Sequence, residues 1–330
     1  MRVVVTGGAG FLGSRLVNAL LARGSLIASS GEERSIDELL VADIAPPPKP
    51  FANDSRLQTR YGDFSEADAV NQLINRDTGA VFHLAAIVSG EAEENFDKGM
   101  RVNLGGTQKI LEACRQLADC PRVVFASSVA VFGGDMPDVI DDMTPLTPQT
   151  SYGSQKAMGE LLVNDYSRKG FVDGRALRLP TIVVRPGKPN AAASSFASSI
   201  LREPLQGKEV VCPVSSKTGV WLLSPRQVVA SFLHAADLAA DAWGASRAVA
   251  LPGMTVSVEQ MLAALARVAG EGVAARVKFK PDPFIEKIVY GWPTRFTTER
   301  AEVMGFRADQ RFEDVIEAFI EDELDGAYTS

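Results

Sequence analysis

Short runs of β-branched and other apolar residues alternate with helix-length amphipathic stretches through the first half of the chain. The runs show no strict alternation of apolar and polar side chains, which is typical of strands covered by helices on both faces. Repeated strand–helix units predict an α/β fold with a doubly wound parallel sheet. The predicted strands are 3–6, 39–43, 57–61, 80–84 and 122–127, and the predicted helices among them are 11–23, 65–76 and 93–117.

The second half of the chain is less regular. We predict that residues 1–182 form the larger domain and that residues 183–330 form a smaller mixed α/β part, with some segments returning to the larger domain. The polar insertion 25–37 and the proline-rich segment 46–50 are expected at the surface, because proline cannot join a strand ladder. The later predicted elements are helices at 151–169, 225–241, 257–269 and 312–324 and strands at 176–184, 219–223 and near Ala248.

Four glycines follow the first predicted strand in the sequence Gly7-Gly8-Ala9-Gly10-Phe11-Leu12-Gly13, and Gly7, Gly10 and Gly13 among them are spaced three residues apart. Between a strand and a helix, this spacing is typical of the Rossmann turn that binds a dinucleotide pyrophosphate, because glycine permits a tight turn and close approach of backbone amides. The helix N-terminus adds the positive end of its dipole. Asp43 ends the second strand, where a carboxylate accepts hydrogen bonds from ribose hydroxyls and repels a 2′-phosphate. The pattern therefore predicts NAD rather than NADP.

Tyr152 and Lys156 are four residues apart on a predicted helix, so their side chains are neighbours on one face. A phenol has a pKa of about 10, and a positive charge beside it favours the phenolate that a general base requires. A Tyr–Lys pair at this spacing is common by chance. It gains weight from Ser127 and Ser128, which end the preceding buried strand.

The composition excludes several classes of protein. The 330 residues carry 34 Lys plus Arg against 41 Asp plus Glu, and a formal charge of -7 without a basic run disfavours nucleic acid as a partner. No apolar stretch is long enough for a membrane span, and we expect a cytoplasmic protein because the glycine loop leaves no room for a cleaved leader. Cys114, Cys120 and Cys212 lack zinc-site spacing, so we expect reduced thiols and no metal.

Six motifs in order resemble the extended short-chain dehydrogenase/reductase superfamily, and the resemblance covers nearly the whole chain. Its members carry a Rossmann domain and a smaller substrate domain. The six motifs are residues 7–13, Gly62-Asp63-Phe64, His83-Leu84-Ala85-Ala86, Asn103-Leu104-Gly105-Gly106-Thr107, residues 125–133 and Arg178-Leu179-Pro180.

The resemblance implies roles for individual residues. Ser128 would hydrogen-bond the reacting oxygen, Tyr152 would transfer its proton, and Lys156 would hold the nicotinamide ribose and lower the Tyr152 pKa. Gln155 replaces the serine that is frequent before this lysine. The implied cofactor residues are Gly7, Gly10, Phe11, Leu12, Gly13, Asp43, Asp63, Phe64, Leu84, Ala85, Ala86, Asn103, Ser127, Tyr152, Lys156 and Pro180.

The superfamily includes sugar-nucleotide epimerases, sugar-nucleotide dehydratases and simple dehydrogenases, so the resemblance alone does not select the reaction. Dehydratases place an acid–base pair beside the serine, where this chain has Val129 and Ala130, so dehydration is not expected. Epimerases carry an arginine for the substrate diphosphate where this chain has Trp221. This departure favours a substrate without a nucleotide. The alternative is that Trp221 packs in the core and that the phosphate contact has moved, for example to Arg226.

The loop Arg185-Pro186-Gly187-Lys188-Pro189-Asn190 places two cations among prolines, which suits capture of a small anion, although a solvated turn is the alternative. This loop and segments 86–91, 212–215 and 223–226 resemble a dehydrogenase of small sugar acids. We predict NAD-dependent oxidation of the C2 hydroxyl of a small aldonate to the 2-oxo acid. The alternatives are a nucleotide-sugar epimerase and a non-catalytic NAD-binding protein. The predicted substrate residues are Ser89, Ser128, Tyr152, Arg185, Lys188 and Arg226.

The helices predicted at 93–117 and 151–169 occupy the places that form a four-helix dimer interface in many members of the superfamily. The resemblance therefore implies a homodimer. Packing against the chain's own sheet explains apolar positions such as Ile110 and Leu161 equally well. His83 and His234 are expected to pack rather than to bind a ligand.

Overall fold

The computed structural model describes residues 1–64, 66–187 and 193–329. The chain divides into two compact units, and the first contains residues 1–131, 148–178 and 229–250. The second contains residues 132–147, 179–228 and 251 onward. The sequence placed one main boundary after residue 182, whereas the division falls after Arg178 and assigns residues 132–147 to the second unit.

The helices and strands of the described residues alternate through most of the chain. The strands are β1 Arg2–Thr6, β2 Ser25–Ile27, β3 Glu33–Ser35, β4 Glu38–Asp43, β5 Leu57–Tyr61, β6 Thr78–His83, β7 Arg122–Ser128, β8 Asp173–Leu179, β9 Thr181–Ile182, β10 Val210–Cys212, β11 Gly219–Leu223, β12 Ala248–Ala250, β13 Met254–Ser257 and β14 Val277–Phe279. The α-helices are α1 Phe11–Arg23, α2 Ala67–Asn71, α3 Ser89–Glu94, α4 Phe96–Gly99, α5 Gly106–Arg115, α6 Ser151–Arg168, α7 Ser195–Leu205, α8 Pro225–Asp237, α9 Val258–Ala269, α10 Glu271–Ala274, α11 Pro283–Val289, α12 Glu299–Val303 and α13 Phe312–Glu323.

The first unit is built on a seven-stranded sheet of order β12-β8-β7-β6-β1-β4-β5. Strand β1 pairs in parallel with β4 and β6, and the outer pairs β4–β5, β6–β7 and β8–β12 are also parallel. The order runs outward from β1 in both directions, so the predicted doubly wound Rossmann sheet is confirmed. The winding reverses between β1 and β6. The carboxyl ends of these two strands therefore form the crevice where such sheets bind ligands.

The helix predicted at 93–117 is interrupted in the structure. Asn95 caps α4 by accepting a hydrogen bond from the Lys98 amide, and a π-helical turn, Met100–Gly105, separates α4 from α5. The amphipathic periodicity of the sequence continues through residues 100–105. The periodicity therefore could not predict the interruption. A mid-helix π turn often marks a functional position.

Two further predicted elements have different bounds. The helix predicted at 65–76 extends over Ala67–Asn71, and the side chain of Asn75 then accepts a hydrogen bond from the Asp77 amide in a turn. The strand predicted at 176–184 ends at Leu179 because Pro180 follows and has no amide hydrogen to donate.

The second unit contains smaller sheets. Strands β13, β11 and β9 form one sheet, and β10 pairs in parallel with β14. Helix α9 begins at a capping box in which Ser257 and Gln260 exchange side-chain and backbone hydrogen bonds. Its apolar face packs into a core formed by Leu222, Met261 and Leu265 together with residues of α7 and α13. These features agree with the mixed α/β composition predicted for the C-terminal part.

Residues 1–64, 66–187 and 193–329 offer neither a membrane-spanning helix nor a cluster of metal-ligating side chains. No helix in them combines the length and the apolar character needed to cross a bilayer. They contain no group of three or more His, Cys, Asp or Glu side chains that could hold a metal ion. Cys114, Cys120 and Cys212 are all free thiols.

Candidate active site

Strand β7 and helix α6 bring the predicted catalytic residues together in the first unit. Strand β7 ends at Ser128, and α6 begins at Ser151, where the Thr150 side chain accepts a hydrogen bond from the Gly153 amide. The helix lies close against the strand, because a Cβ atom at Gly159 would come within 2.7 Å of the Phe125 ring. This contact fixes how far the first turn of α6 lies from the end of β7.

Lys156 is held in a buried position. Its side chain is 3% exposed, and its ammonium donates a 2.7 Å hydrogen bond to the carbonyl oxygen of Ala126. The ammonium also lies 4.8 Å from the centroid of the Phe125 ring and 5.6 Å from that of the Tyr152 ring. Burial lowers the Lys156 pKa to about 8, and the carboxylate of Glu160 opposes that decrease. The side chain is therefore cationic at neutral pH, next to the Tyr152 phenol.

Tyr152 and Ser128 interact directly. Burial raises the pKa of Tyr152 to about 12, and hydrogen bonding with Ser128 acts in the opposite direction. The Ser128 hydroxyl also accepts a 3.1 Å hydrogen bond from the Ala130 amide. The phenol is consequently protonated at neutral pH in the protein alone. In this form it holds its proton more tightly than a free tyrosine does, and it needs added positive charge before it can accept one.

Glu160 is a structurally important residue of this site that the sequence analysis missed. It is buried one turn after Lys156, and the Ser127 hydroxyl donates a 2.5 Å hydrogen bond to it. The Arg178 guanidinium donates to the same carboxylate at 2.8 and 3.0 Å. The spacing of four residues after Lys156 was a usable signal, because it places Glu160 on the same helix face.

Ser127 and Asn103 stay predicted cofactor residues, and their side chains have buried partners within the protein. Ser127 is 1% exposed, and its hydroxyl donates a hydrogen bond to Glu160. Asn103 is 3% exposed, and its amide group exchanges hydrogen bonds with both the amide and the carbonyl of Ile87. Asn103 therefore holds the segment after β6.

The glycine loop lies where β1 and β6 end. Gly7 has a φ of 69°, and a Cβ atom there would come within 2.7 Å of the Ala85 nitrogen, so the loop and the segment after β6 are in close contact. Helix α1 begins after Gly10 without a side-chain cap and without an acidic residue in its first turn. Its first amides, in Phe11, Leu12 and Gly13, are thus available to an anion.

Asp43 lies at the carboxyl end of β4 and is half-buried. Its carboxylate accepts a 2.9 Å hydrogen bond from the Ala9 amide and so stands directly beside the glycine loop. An acidic group at the strand end, an uncapped helix N-terminus and a turn without side chains are together the features that a dinucleotide requires. The residues present therefore fit NAD.

The remaining predicted cofactor residues have varied surroundings. Leu84, Ala85 and Ala86 are half-buried in the segment that follows β6. Asp63 is exposed and forms a 2.8 Å ion pair with Arg101, and Phe64 packs against the core of the first unit. Pro180 is buried in the second unit, between β8 and β9. The predicted substrate residue Ser89 begins α3 in the first unit.

The predicted substrate cations of the second unit differ in whether a carboxylate already binds them. Arg185 is exposed, and its guanidinium has no hydrogen-bond or ion-pair partner within 1–64, 66–187 and 193–329. Partial desolvation and the nearby charge of Arg202 lower its pKa. Arg226 donates to Asp322 at 2.6 Å and to Glu321 at 2.8 Å, so two carboxylates already neutralise it. Lys188 lies outside the described residues.

Trp221 is a packing residue of the second unit. Its side chain is 8% exposed, and its ring stacks on Phe296 with the ring centroids 4.9 Å apart and an interplanar angle of 24°. The ring occupies the place where the epimerases that the motifs resemble carry an arginine. A buried indole in this stack offers no positive charge to a diphosphate.

Comparisons with known proteins agree with this geometry. A model of the NAD dependent epimerase/dehydratase family matches residues 3–253. The D-erythronate dehydrogenase of Cupriavidus necator is 53% identical over 322 residues, which cover 98% of this chain and 98% of that protein. The D-erythronate dehydrogenase of Haemophilus influenzae is 48% identical over 321 residues, which cover 97% of this chain and 99% of that protein.

Among solved structures, the nucleoside-diphosphate-sugar epimerase from Agrobacterium tumefaciens is similar along its whole length. It is 42% identical to this chain, with a TM-score of 0.93, and the match covers 99% of this chain and 95% of that structure. The names of these relatives divide between a dehydrogenase and an epimerase. The similarity confirms the family resemblance that the motifs indicated.

Proposed function

Because the chain belongs to the NAD dependent epimerase/dehydratase family, we propose that this NAD-dependent enzyme oxidises the C2 hydroxyl of a small aldonate, D-erythronate or a close analogue, to the 2-oxo acid. The observation that carries the proposal is the group formed by Ser128, Tyr152 and Lys156, with a buried ammonium beside a phenol. Two relatives that are 53% and 48% identical over almost the whole chain are named for D-erythronate oxidation, which supports the choice of substrate.

In the proposed reaction, three residues of the chain have separate roles. Tyr152, as phenolate, takes the proton of the C2 hydroxyl, and Ser128 holds the oxygen through its own hydroxyl. Bound NAD supplies the acceptor for the C2 hydride. The products are then the 2-oxo acid, the reduced cofactor and one proton, which Tyr152 passes on to solvent. The positive charge of Lys156 stabilises the phenolate throughout.

The raised pKa of Tyr152 indicates that the oxidised cofactor must be bound when the phenol ionises. At about 12, the phenol stays protonated in the protein alone, and its ionisation at neutral pH requires more positive charge than Lys156 provides. The oxidised nicotinamide carries such a charge. The glycine loop with Asp43 would hold the adenosine and pyrophosphate, and Leu84, Ala85 and Ala86 would line the dinucleotide. Lys156 would hold the nicotinamide ribose.

We assign the aldonate carboxylate to Arg185. Its guanidinium is exposed and lacks a carboxylate partner among the residues that the structure describes, so it can accept an external anion in a bidentate pair. Arg226 is removed from the proposed substrate ligands because Glu321 and Asp322 already bind it. Lys188 and Ser89 remain predictions.

A nucleotide-sugar epimerase is the second candidate, since one solved relative that is 42% identical carries that name. Epimerisation would return the hydride to the sugar and would release no reduced cofactor. The buried, stacked Trp221 provides no cation for a diphosphate, and Arg226, the other candidate for that contact, is already bound by Glu321 and Asp322. Together these two observations favour the aldonate. The non-catalytic alternative is disfavoured by the preserved Ser128, Tyr152 and Lys156 group.

The decisive experiment follows NADH fluorescence while the purified protein is given NAD with a panel of C4 to C6 aldonates and with UDP-sugars. We expect stoichiometric NADH release with D-erythronate or a stereoisomer, and mass spectrometry should identify the 2-oxo acid as the product. Conversion of a UDP-sugar without net NADH would replace the proposal by the epimerase. A 3-oxo product would exclude oxidation at C2.

We also propose a homodimer formed through α6 and the segment before α5. Leu161 on α6 is 67% exposed and Phe96 on α4 is 58% exposed, and exposed apolar groups on two helices of one unit favour an intermolecular contact. Light scattering should give twice the chain mass, and Leu161→Lys should give the monomer. A monomeric wild-type protein would reject this assembly. The expected cytoplasmic location remains a prediction.

A further inference from the structure

A buried hydrogen bond joins the catalytic helix to the π-helical turn. Gln155 precedes Lys156 on α6 and is 1% exposed, and its Oε1 accepts a 2.8 Å hydrogen bond from the Nδ2 of Asn103. The same Asn103 amide group donates to the Ile87 carbonyl at 3.2 Å, and its Oδ1 accepts from the Ile87 amide at 2.8 Å. Gln155 thus helps to orient the Asn103 side-chain amide, which hydrogen-bonds both backbone groups of Ile87.

The orientation of the Gln155 amide follows from its surroundings. Its Nε2 has no hydrogen-bond partner among the described residues, whereas its Oε1 faces a donor. A Cβ atom at Gly99 would lie 2.5 Å from that Nε2, so the glutamine fits only because a glycine faces it. A serine at position 155 has two fewer carbon atoms and would not reach Asn103 from the same backbone position. The departure from the frequent serine therefore creates this contact.

A second chain of hydrogen bonds continues from Asn103 to the start of the glycine loop. The Thr107 hydroxyl donates to the Asn103 carbonyl at 2.6 Å, so it accepts from the Nε2 of His83, 3.0 Å away. His83 is neutral because burial, assisted by the charge of Lys156, lowers its pKa to about 3. Its Nδ1 therefore accepts from the Thr6 hydroxyl at 2.6 Å.

Both chains end on the segment between β6 and α3. The Ala85 amide donates to the Thr6 hydroxyl, which lies immediately before the glycine loop, and Asn103 binds both backbone groups of Ile87. This segment, residues 84–88, is thereby fixed from β1 on one side and from α6 on the other. It contains the residues that we propose to line the dinucleotide.

We propose that Gln155 is a positioning residue for the cofactor: through Asn103 it fixes residues 84–88 relative to the helix that carries Tyr152 and Lys156. The inference rests on the proposed use of NAD by this site. It gives the residue immediately before Lys156 a role of its own. The acceptor at position 155 adds a third hydrogen bond to the two that orient the Asn103 amide on Ile87.

Two substitutions at Gln155 distinguish an effect on NADH binding from an effect on the stability of the protein. Gln155→Met keeps the size of the side chain and removes the acceptor, so the NADH dissociation constant should rise roughly 3- to 10-fold, as expected for one buried hydrogen bond, with kcat within about twofold. Gln155→Glu keeps an acceptor oxygen and replaces the unpartnered donor with a second oxygen. Its NADH affinity should stay within about twofold of wild type although its buried carboxylate lowers Tm more than methionine does. Fluorescence titration measures affinity without any substrate.

Val163→Ala is the matched control, because Val163 is fully buried on the same helix and its truncation leaves a cavity. It should lower Tm and leave NADH affinity unchanged. Equal affinities for the Met and Glu variants, or affinities that follow Tm across all three variants, would overturn the proposal. Absence of aldonate oxidation would affect the proposed function alone, since NADH binding is measured separately.

Hydrogen exchange gives a second measurement. In Gln155→Met the amides of residues 84–88 should exchange faster, while those of β1 serve as an internal reference. Unchanged exchange in residues 84–88 would contradict the proposal. If Gln155→Met does not fold, Gln155→Ser tests the same loss of contact, and the same two outcomes apply.

Discussion

The two units place the cations that we propose for catalysis and substrate binding in opposite environments. In the first unit, Lys156 is 3% exposed, bonded to the Ala126 carbonyl and supported by the buried Glu160. In the second, Arg185 is exposed and has no carboxylate partner among the described residues. A buried ammonium is held in one position at the cost of desolvation, whereas an exposed guanidinium is adaptable and strongly screened.

This contrast suggests that the first unit provides proton transfer and the second provides recognition of the substrate anion. Proton transfer needs atoms placed to within a fraction of an ångström, and the first unit supplies that placement through buried hydrogen bonds. Recognition of a small anion tolerates more freedom and can change with a single loop. We therefore expect substitutions in the first unit to affect chemistry and cofactor binding, and substitutions at Arg185 to affect substrate binding alone.

The largest expected effect is that of Tyr152→Phe. Removal of the phenol oxygen should lower kcat by about 10³-fold, because no group remains to take the hydroxyl proton. NADH affinity should change by no more than a few-fold, since the ring and its packing are kept. Steady-state kinetics and fluorescence titration provide the two measurements. Undiminished turnover would remove Tyr152 from its proposed role.

Arg185→Gln should raise the KM for the aldonate by roughly 10- to 100-fold, the usual effect of losing a hydrogen-bonded charge pair. The NADH dissociation constant should stay within about twofold. The matched control is Arg226→Gln, which also removes one positive charge from the second unit. Because Glu321 and Asp322 already bind Arg226, this variant should leave the KM almost unchanged. The reverse result would assign the carboxylate to Arg226.

The smallest effect concerns pH. The pKa of Lys156 is about 8, below its unperturbed value, so its ammonium loses its proton as the pH rises through 8. Its hold on the nicotinamide ribose should then weaken, and the NADH dissociation constant should rise a few-fold. The KM contribution of Arg185 should not change over this range, because arginine stays charged.

Glu160→Gln tests the cause of this pH dependence. Glu160 raises the Lys156 pKa, so its removal should move the loss of affinity to lower pH. Asp165→Asn is the control, because Asp165 is an exposed carboxylate of the same helix that pairs with Arg168. It should leave the profile in place. Identical pH profiles for wild type and Glu160→Gln would show that Glu160 does not set the pH at which NADH affinity is lost.

The sequence was most informative where the determinants are local. Apolar runs predicted the strands of the first unit, and the spacing of Gly7, Gly10 and Gly13 predicted the turn at the end of β1. The four-residue spacing of Tyr152 and Lys156 predicted their shared helix face. Each pattern lies within about ten residues of chain, so it can be read without knowledge of the fold.

The features that the sequence did not reveal depend on residues far apart in the chain. Arg226 donates to Asp322, 96 residues later, and the Ser127 hydroxyl donates to Glu160, 33 residues later. Gln155 meets Asn103 across two helical segments. Periodicity and motif spacing carry no information about such pairings.

The strand order of the first unit has a consequence for synthesis of the chain. Strand β1, in the interior of the sheet, is made before the other strands, whereas the edge strand β12, at Ala248–Ala250, is made after residues 132–147 and 179–228 of the second unit have been synthesised. The first unit therefore cannot complete its sheet co-translationally before much of the second exists. Until then, β8 presents an unpaired edge, which is the kind of surface that invites misassembly.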